Sequence, residues 1–132
     1  MASVVFTGVS IRYGQAEAVR KADLEIPEGA YCCLLGPSGC GKTSLLRALA
    51  GFVEPAEGSI EVDGKKVNGV YPGDRNLAMI FQNFALYPHL TVRQNFAFPL
   101  EAIGTPQHQV ETRILEVARQ LGMDGLLDRY PR

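Results

Sequence analysis

The chain has 132 residues, 46% hydrophobic and 20% charged, with a formal net charge of −1. That length fits one domain with a real core, and the balance excludes disorder as the dominant state. Near-neutral charge gives no electrostatic reason to expect nucleic acid as a partner. No apolar run approaches the roughly eighteen residues of a membrane span, and the N-terminus carries no secretion pattern, so a cytoplasmic location is expected.

In chain order, Val5, Thr7, Val9, Ile11 and Tyr13 alternate with Ser10 and Arg12, which predicts a half-buried strand. After a turn around residues 14–17, Ala22, Leu24 and Ile26 alternate with Lys21, Asp23 and Glu25, predicting an antiparallel partner. Pro27-Glu28-Gly29 is a turn into Tyr31, Cys32, Cys33, Leu34 and Leu35, an apolar run that predicts a short buried strand. Cys32 and Cys33 then act as small hydrophobes, and the spacing of the three cysteines is not a metal pattern, so reduced thiols are expected.

Residues 36–43 read GPSGCGKT, a complete match to G-x-x-x-x-G-K-[ST]. In such a loop, glycines let successive N–H groups turn toward one anion, and the lysine adds a full charge near the β- and γ-phosphates. Gly36, Pro37, Ser38, Gly39, Cys40, Gly41, Lys42, Thr43 and Ser44 are therefore expected to surround a nucleoside triphosphate, with the Thr43 hydroxyl as a Mg²⁺ ligand. Residues 44–50 predict the helix leaving the loop, its positive end toward the phosphates, and Gly51 its C-terminal cap. The plain alternative is a Gly-rich turn before an ordinary helix. Cys40 lies inside the loop beside Lys42, where a thiol is open to alkylation, though the favoured reading is that the loop simply needs a small residue there.

Further on, residues 59–62 predict a strand, and Asp63-Gly64 a tight turn toward Lys66-Val67. Leu77, Ala78, Met79, Ile80 and Phe81 form a continuous apolar run that predicts a central strand. Residues 83–90 mix aromatics with Pro88 and read as a structured loop. Thr91 is placed to cap a helix through Phe98, which Pro99 would not continue. Thr105-Pro106 reads as a second helix start. Val110, Ile114, Val117, Ala118 and Leu121 give that helix one apolar stripe, and Gly122 is placed to end it.

With these residues in view, the whole chain resembles the ATPase subunits of ABC transporters. Tyr13 stands where that family places an aromatic that stacks on adenine, and Gln82 matches its Q-loop glutamine, which joins the Mg²⁺ shell or holds the attacking water. Residues 74–92, DRNLAMIFQNFALYPHLTV, and residues 124–132, DGLLDRYPR, are most similar to the branch serving maltose-type sugars and glycerol-3-phosphate. Iron, sulfate and polyamine importers carry similar wording. The resemblance implies an α/β phosphate-loop core with an antiparallel β-subdomain and part of a helical subdomain. Residues 1–90 would be the nucleotide-binding core and residues 91–132 the start of the helical part. ATP and Mg²⁺ are the implied cofactors, with Thr43 and Gln82 near the metal. Implied partners are a second ATPase subunit and a membrane permease docking around residues 82–100, where Phe84 and Tyr87 suit a groove. His89 reads as structural. The implied location is peripheral, on the cytoplasmic face of the membrane.

Relatives continue past this point into the LSGGQ signature, the Mg²⁺-binding aspartate with its neighbouring glutamate base, and a switch histidine; Arg132 precedes all of them. No acidic residue here follows a run of four apolar residues, so no catalytic residue is expected within the chain. It is expected to bind ATP weakly and to hydrolyse it negligibly by itself. Missing parallel strands would also leave Leu34 and Leu35 beside an incomplete sheet. A non-catalytic module that binds ATP or docks on a permease is the second class. A guanine-reading Asn-Lys-x-Asp motif is absent, which argues against a GTPase, and two strands ahead of the loop argue against a small-molecule kinase.

Overall fold

In the computed structural model, which describes residues 2–131, strand β1 spans Val4–Tyr13 and β2 spans Ala16–Ile26. Strands β3 (Glu57–Val62) and β4 (Lys65–Lys66) complete an antiparallel sheet in the order β2-β1-β3-β4. Alternation puts one face of each strand inward, but β1 changes phase part-way along. Val4 and Phe6 are buried in its first half, Val9 and Ile11 in its second. The switch occurs at Gly8, where φ is +56° and the register shifts against both neighbours. The expected single alternation through Val5 and Thr7 is thus corrected by a β-bulge, which moves later side chains to the other face.

Two contacts hold the bulge. Buried Ser10 accepts the Lys21 N–H at 3.0 Å, where β2 has its own left-handed residue, Lys21 at φ 42°. Gly58 of β3 comes so close to β1 that a Cβ there would lie 2.5 Å from the Gly8 carbonyl and from Thr7 O. The turn after β3 uses Asp63 and Gly64, both at positive φ, as the sequence predicts.

Helix α1 (Lys42–Ala50) covers this sheet. Its Ala48 is buried in a core with Val9, Ile11, Ile60 and Val62, and Leu45 and Leu49 pack at the margin. The helix ends on Gly51 at φ 87°, with the Gly51 N–H on Ala48 O at 3.2 Å and the Phe52 N–H on Arg47 O at 2.9 Å.

Two expected strands are absent. Residues 31–35 and 77–81 carry no strand pairing; Tyr31 is 98% exposed, Leu35 87% and Ile80 91%, and Cys32 and Cys33 are exposed as well. A central parallel strand needs a hydrogen-bonding neighbour on each side, and the described residues supply none for these segments. The open apolar face expected at Leu34 and Leu35 is therefore present at Leu35, while Leu34 is half-buried.

The chain divides into two compact units, Met1–Met79 and Ile80–Arg132. In the second, helices α2 (Val92–Ala102) and α3 (Gln107–Gln120) enclose Ala97, Val110, Ile114, Ala118 and Leu127. Thr91 caps α2 as expected: its hydroxyl accepts the Gln94 N–H at 3.2 Å, and the Gln94 side chain accepts the Thr91 N–H at 2.8 Å. Contrary to expectation, α2 runs through Pro99. An interior proline costs a helix about 3 kcal/mol, but Phe96 and Leu100, on either side of it, pack onto the core shared with α3 and offset that cost. Helix α3 starts one residue after Pro106, and Gly122 ends it at φ 65°. Its buried stripe is narrower than predicted, since Val117 and Leu121 are exposed. A C-terminal 3-10 turn (Asp124–Leu126) leads back to α2, where the Val92 N–H meets Arg129 O and the Arg93 N–H meets Leu127 O, both at 2.8 Å.

Candidate nucleotide-binding site

Residues 36–40 form an exposed loop ahead of α1, and Gly41 anchors its far end. Gly41 is buried at φ 95°, and a Cβ on it would stand 2.5 Å from Ala18 O and 2.8 Å from Val19 Cγ2 on β2. Only glycine allows both the left-handed turn and this approach to the sheet. Its carbonyl accepts the Leu45 N–H at 2.9 Å, which starts α1 immediately behind the loop. No side chain caps that helix end, so first-turn N–H groups and the positive end of the helix dipole are available to an anion.

Lys42 closes the loop over itself. Its ammonium donates to Gly36 O and Pro37 O, both at 2.7 Å, and lies 3.3 Å from Cys40 Sγ. An ammonium carries three donors, so the cation is fully engaged with the loop while remaining near its mouth. An arriving phosphate can displace the sulfur, because a thiol is a weak acceptor and a phosphate oxygen also brings an opposite charge to the ammonium. Thr43, the next residue, is exposed.

At the end of β1, the Tyr13 hydroxyl reaches Ser44 Oγ at 3.4 Å, and Tyr13 is 44% exposed. The fold thus brings Tyr13 beside the helix start that carries Lys42, Thr43 and Ser44. One loop holds Gly36, Pro37, Ser38, Gly39, Cys40 and Gly41. Gln82 lies in the second unit, exposed at the start of a turn, close in sequence to the Phe84 N–H bond to Phe81 O at 3.0 Å. Among the described residues, no group of His, Cys, Asp and Glu could by itself hold a metal ion. Mg²⁺ keeps several waters and seldom uses an all-protein cage, so a single protein hydroxyl beside nucleotide phosphates suffices for it. Thr43 offers such a hydroxyl.

One organising residue escaped the sequence reading. Asn95, in the first turn of α2, accepts the Tyr87 N–H at 2.9 Å and donates to Tyr87 O at 3.1 Å, Leu90 O at 3.1 Å and Thr91 O at 2.9 Å. It fixes the loop that presents Tyr87, whose ring lies 4.7 Å from that of Phe98 and 6.0 Å from His89. Phe84 is 75% exposed ahead of it. Asparagine is a poor choice inside a helix unless its amide serves the backbone, and that was the available signal. Asn95→Ala is expected to lower the stability of the second unit by about 2 kcal/mol, as several roughly 1 kcal/mol bonds are lost; urea unfolding measures it.

The ABC transporter family profile matches residues 19–132. The chain belongs to that family. As an ABC protein it carries the expected α/β phosphate-loop fold with an antiparallel sheet and helices, and membership implies nucleotide binding. Over its full length it is 47% identical to the sn-glycerol-3-phosphate import ATP-binding protein UgpC of Rhodopseudomonas palustris, covering 36% of that protein. It is 46% identical to the trehalose/maltose import ATP-binding protein MalK of Thermococcus litoralis, covering 37%. The chain thus spans just over a third of the length of these curated relatives. Among solved structures, 97% of the chain matches 61% of a dimeric ATP-binding cassette in a post-hydrolysis state with ADP and Pi, at a TM-score of 0.81 and 25% identity. Among the described residues, no helix is long and apolar enough to cross a membrane.

Proposed function

We propose that this ABC chain is the ATP-binding part of an importer subunit for glycerol-3-phosphate or a maltose-type sugar, working at the cytoplasmic face of the membrane. The observation that carries the reading is the preformed loop of residues 36–43, with Lys42 poised over it and Tyr13 beside it, in a chain whose full length matches UgpC and MalK proteins. Tyr13 stacks on adenine, which suits a flat π-face and contributes about 0.5–1.5 kcal/mol beyond burial. Backbone N–H groups of residues 39–44, with Lys42, bind the phosphates. Thr43 and Gln82 hold Mg²⁺, which when bound neutralises phosphate charge. Residues 1–90 serve as the nucleotide-binding core, and residues 91–132 begin the helical part.

Partners in this reading are a second ATPase subunit and a permease. Permease docking at residues 82–100 is supported by the exposure of Phe84 and Leu86 and by the hold of Asn95 on the following loop. Turnover needs a general base, whose loss typically removes 10²–10⁴ of rate, and no residue of this chain is proposed for that role. The chain alone therefore binds ATP without measurable hydrolysis.

The test has two parts. A fluorescent ATP analogue is titrated onto the purified chain and competed with ATP, ADP and GTP; comparable competition is expected, since stacking reads base shape loosely. In the source organism, deletion of the gene is expected to abolish uptake of labelled glycerol-3-phosphate or of a maltose-type sugar. A strong guanine preference, or unchanged uptake of both solutes, overturns the reading.

A further inference from the structure

We propose that Arg75 is a positioning residue that couples occupancy of the phosphate loop to the segment preceding Gln82. This rests on the nucleotide-binding reading of residues 36–44. Arg75 is buried, with its side chain 1% exposed, and it sits at the opposite end of α1 from the loop. Its Nη1 donates to Ala48 O and Leu49 O, both at 2.9 Å, and its Nε donates to Val70 O at 2.9 Å. Nη2 faces Glu54 at 3.8 Å, and the same carboxylate accepts the Gly69 N–H. One planar guanidinium therefore ties the last carbonyls of the phosphate-loop helix to residues 69–75.

The approach is built in. A Cβ at Gly51 would lie 2.6 Å from Arg75 Nε, so the glycine that caps α1 also makes room for the guanidinium. A cation at a helix C-terminus complements the dipole, and its fork satisfies acceptors that a single ammonium cannot match together. Nine helical residues separate the two ends of α1, about 13 Å at 1.5 Å per residue. That distance is too long for Arg75 to touch a bound phosphate directly. What passes along the helix is position. A packed helix moves as one piece, so a phosphate that fixes its N-terminus also fixes the carbonyls that Arg75 grips. Those carbonyls lead through Arg75 to the chain that reaches Gln82 seven residues later. Coupling of this kind is reciprocal for binding.

The experiment is amide hydrogen exchange on the wild-type chain, with and without saturating MgATP. Residues 41–45 and residues 69–76 are both expected to slow, the second segment about tenfold. In Arg75→Lys, which keeps the cation and loses the fork, residues 41–45 still slow, residues 69–76 do not, and ATP affinity falls about tenfold. Arg75→Gln repeats the affinity loss if it folds. Protection of residues 41–45 without any change at residues 69–76 in the wild type overturns the coupling and leaves the nucleotide reading intact. Lower melting temperature with unchanged ATP affinity in Arg75→Lys likewise reduces Arg75 to a helix cap. No protection anywhere, with no ATP bound, overturns both readings.

Discussion

Replacing Lys42 with alanine is expected to lower the ATP affinity of the chain at least about thirtyfold and to leave its melting temperature nearly unchanged. The size follows from the loss of hydrogen bonds to a charged partner, worth about 1.5–3 kcal/mol, or roughly ten- to 150-fold in affinity. A second loss adds to it: the ammonium also ties Gly36 O, Pro37 O and Cys40 Sγ together, so the variant loop must be ordered by the ligand. Such ordering subtracts from the free energy of binding. Stability changes little because Lys42 is half-exposed and bonds only to a surface loop. Isothermal titration alongside thermal melts separates the two effects. Affinity within threefold of wild type would remove Lys42 from the site.

Gly58→Ala is expected to be the most damaging single methyl in the first unit. Gly58 sits at φ 86°, where an L side chain costs about 1–2 kcal/mol. Its Cβ would also enter the space of Gly8 C, Gly8 O and Thr7 O, each 2.5 Å away. All three are backbone atoms of a paired strand, so none can rotate aside, and overpacking of this sort costs about 1–3 kcal/mol more. A combined loss of about 3 kcal/mol is expected in urea unfolding followed through the first unit, and ATP affinity falls with the folded population. Gly64→Ala is the matched control: it also has positive φ, at 69°, but a Cβ there meets nothing within 4 Å. It should cost only the backbone strain. Equal losses for the two variants would show that the close approach to β1 is not what requires glycine.

Much of the site was legible because its signals are local. The helix behind the Gly-rich loop, its Gly51 cap, the Gly122 helix end and the Thr91 cap depend on residues within four or five positions of one another, and each is found where the residues predict it. Tyr13 beside Ser44 is a longer reach, 31 positions, and only the structure showed that contact. The misreadings share a different cause. Residues 31–35 and 77–81 have strand-like composition, but a strand exists only with neighbours, and these segments have none here. The bulge at Gly8 was hidden because alternation through Val5 and Thr7 looks as regular as alternation through Val4 and Phe6. Arg75 was invisible as an organiser because its hydrogen-bond partners are backbone carbonyls, which every residue carries.

By itself, then, the amino-acid sequence determined the phosphate-loop motif of residues 36–43, the helix behind it, and the ABC family to which the chain belongs. Loop chemistry is written in residue types at fixed short spacing, so no distant contact is needed to read it. Tertiary structure alone decided which faces of β1 are buried, where Gly41 seats the loop on β2, and what Arg75 grips at the far end of α1. Those outcomes depend on backbone atoms brought together from separate strands and turns, and such meetings leave no mark in any one stretch of sequence.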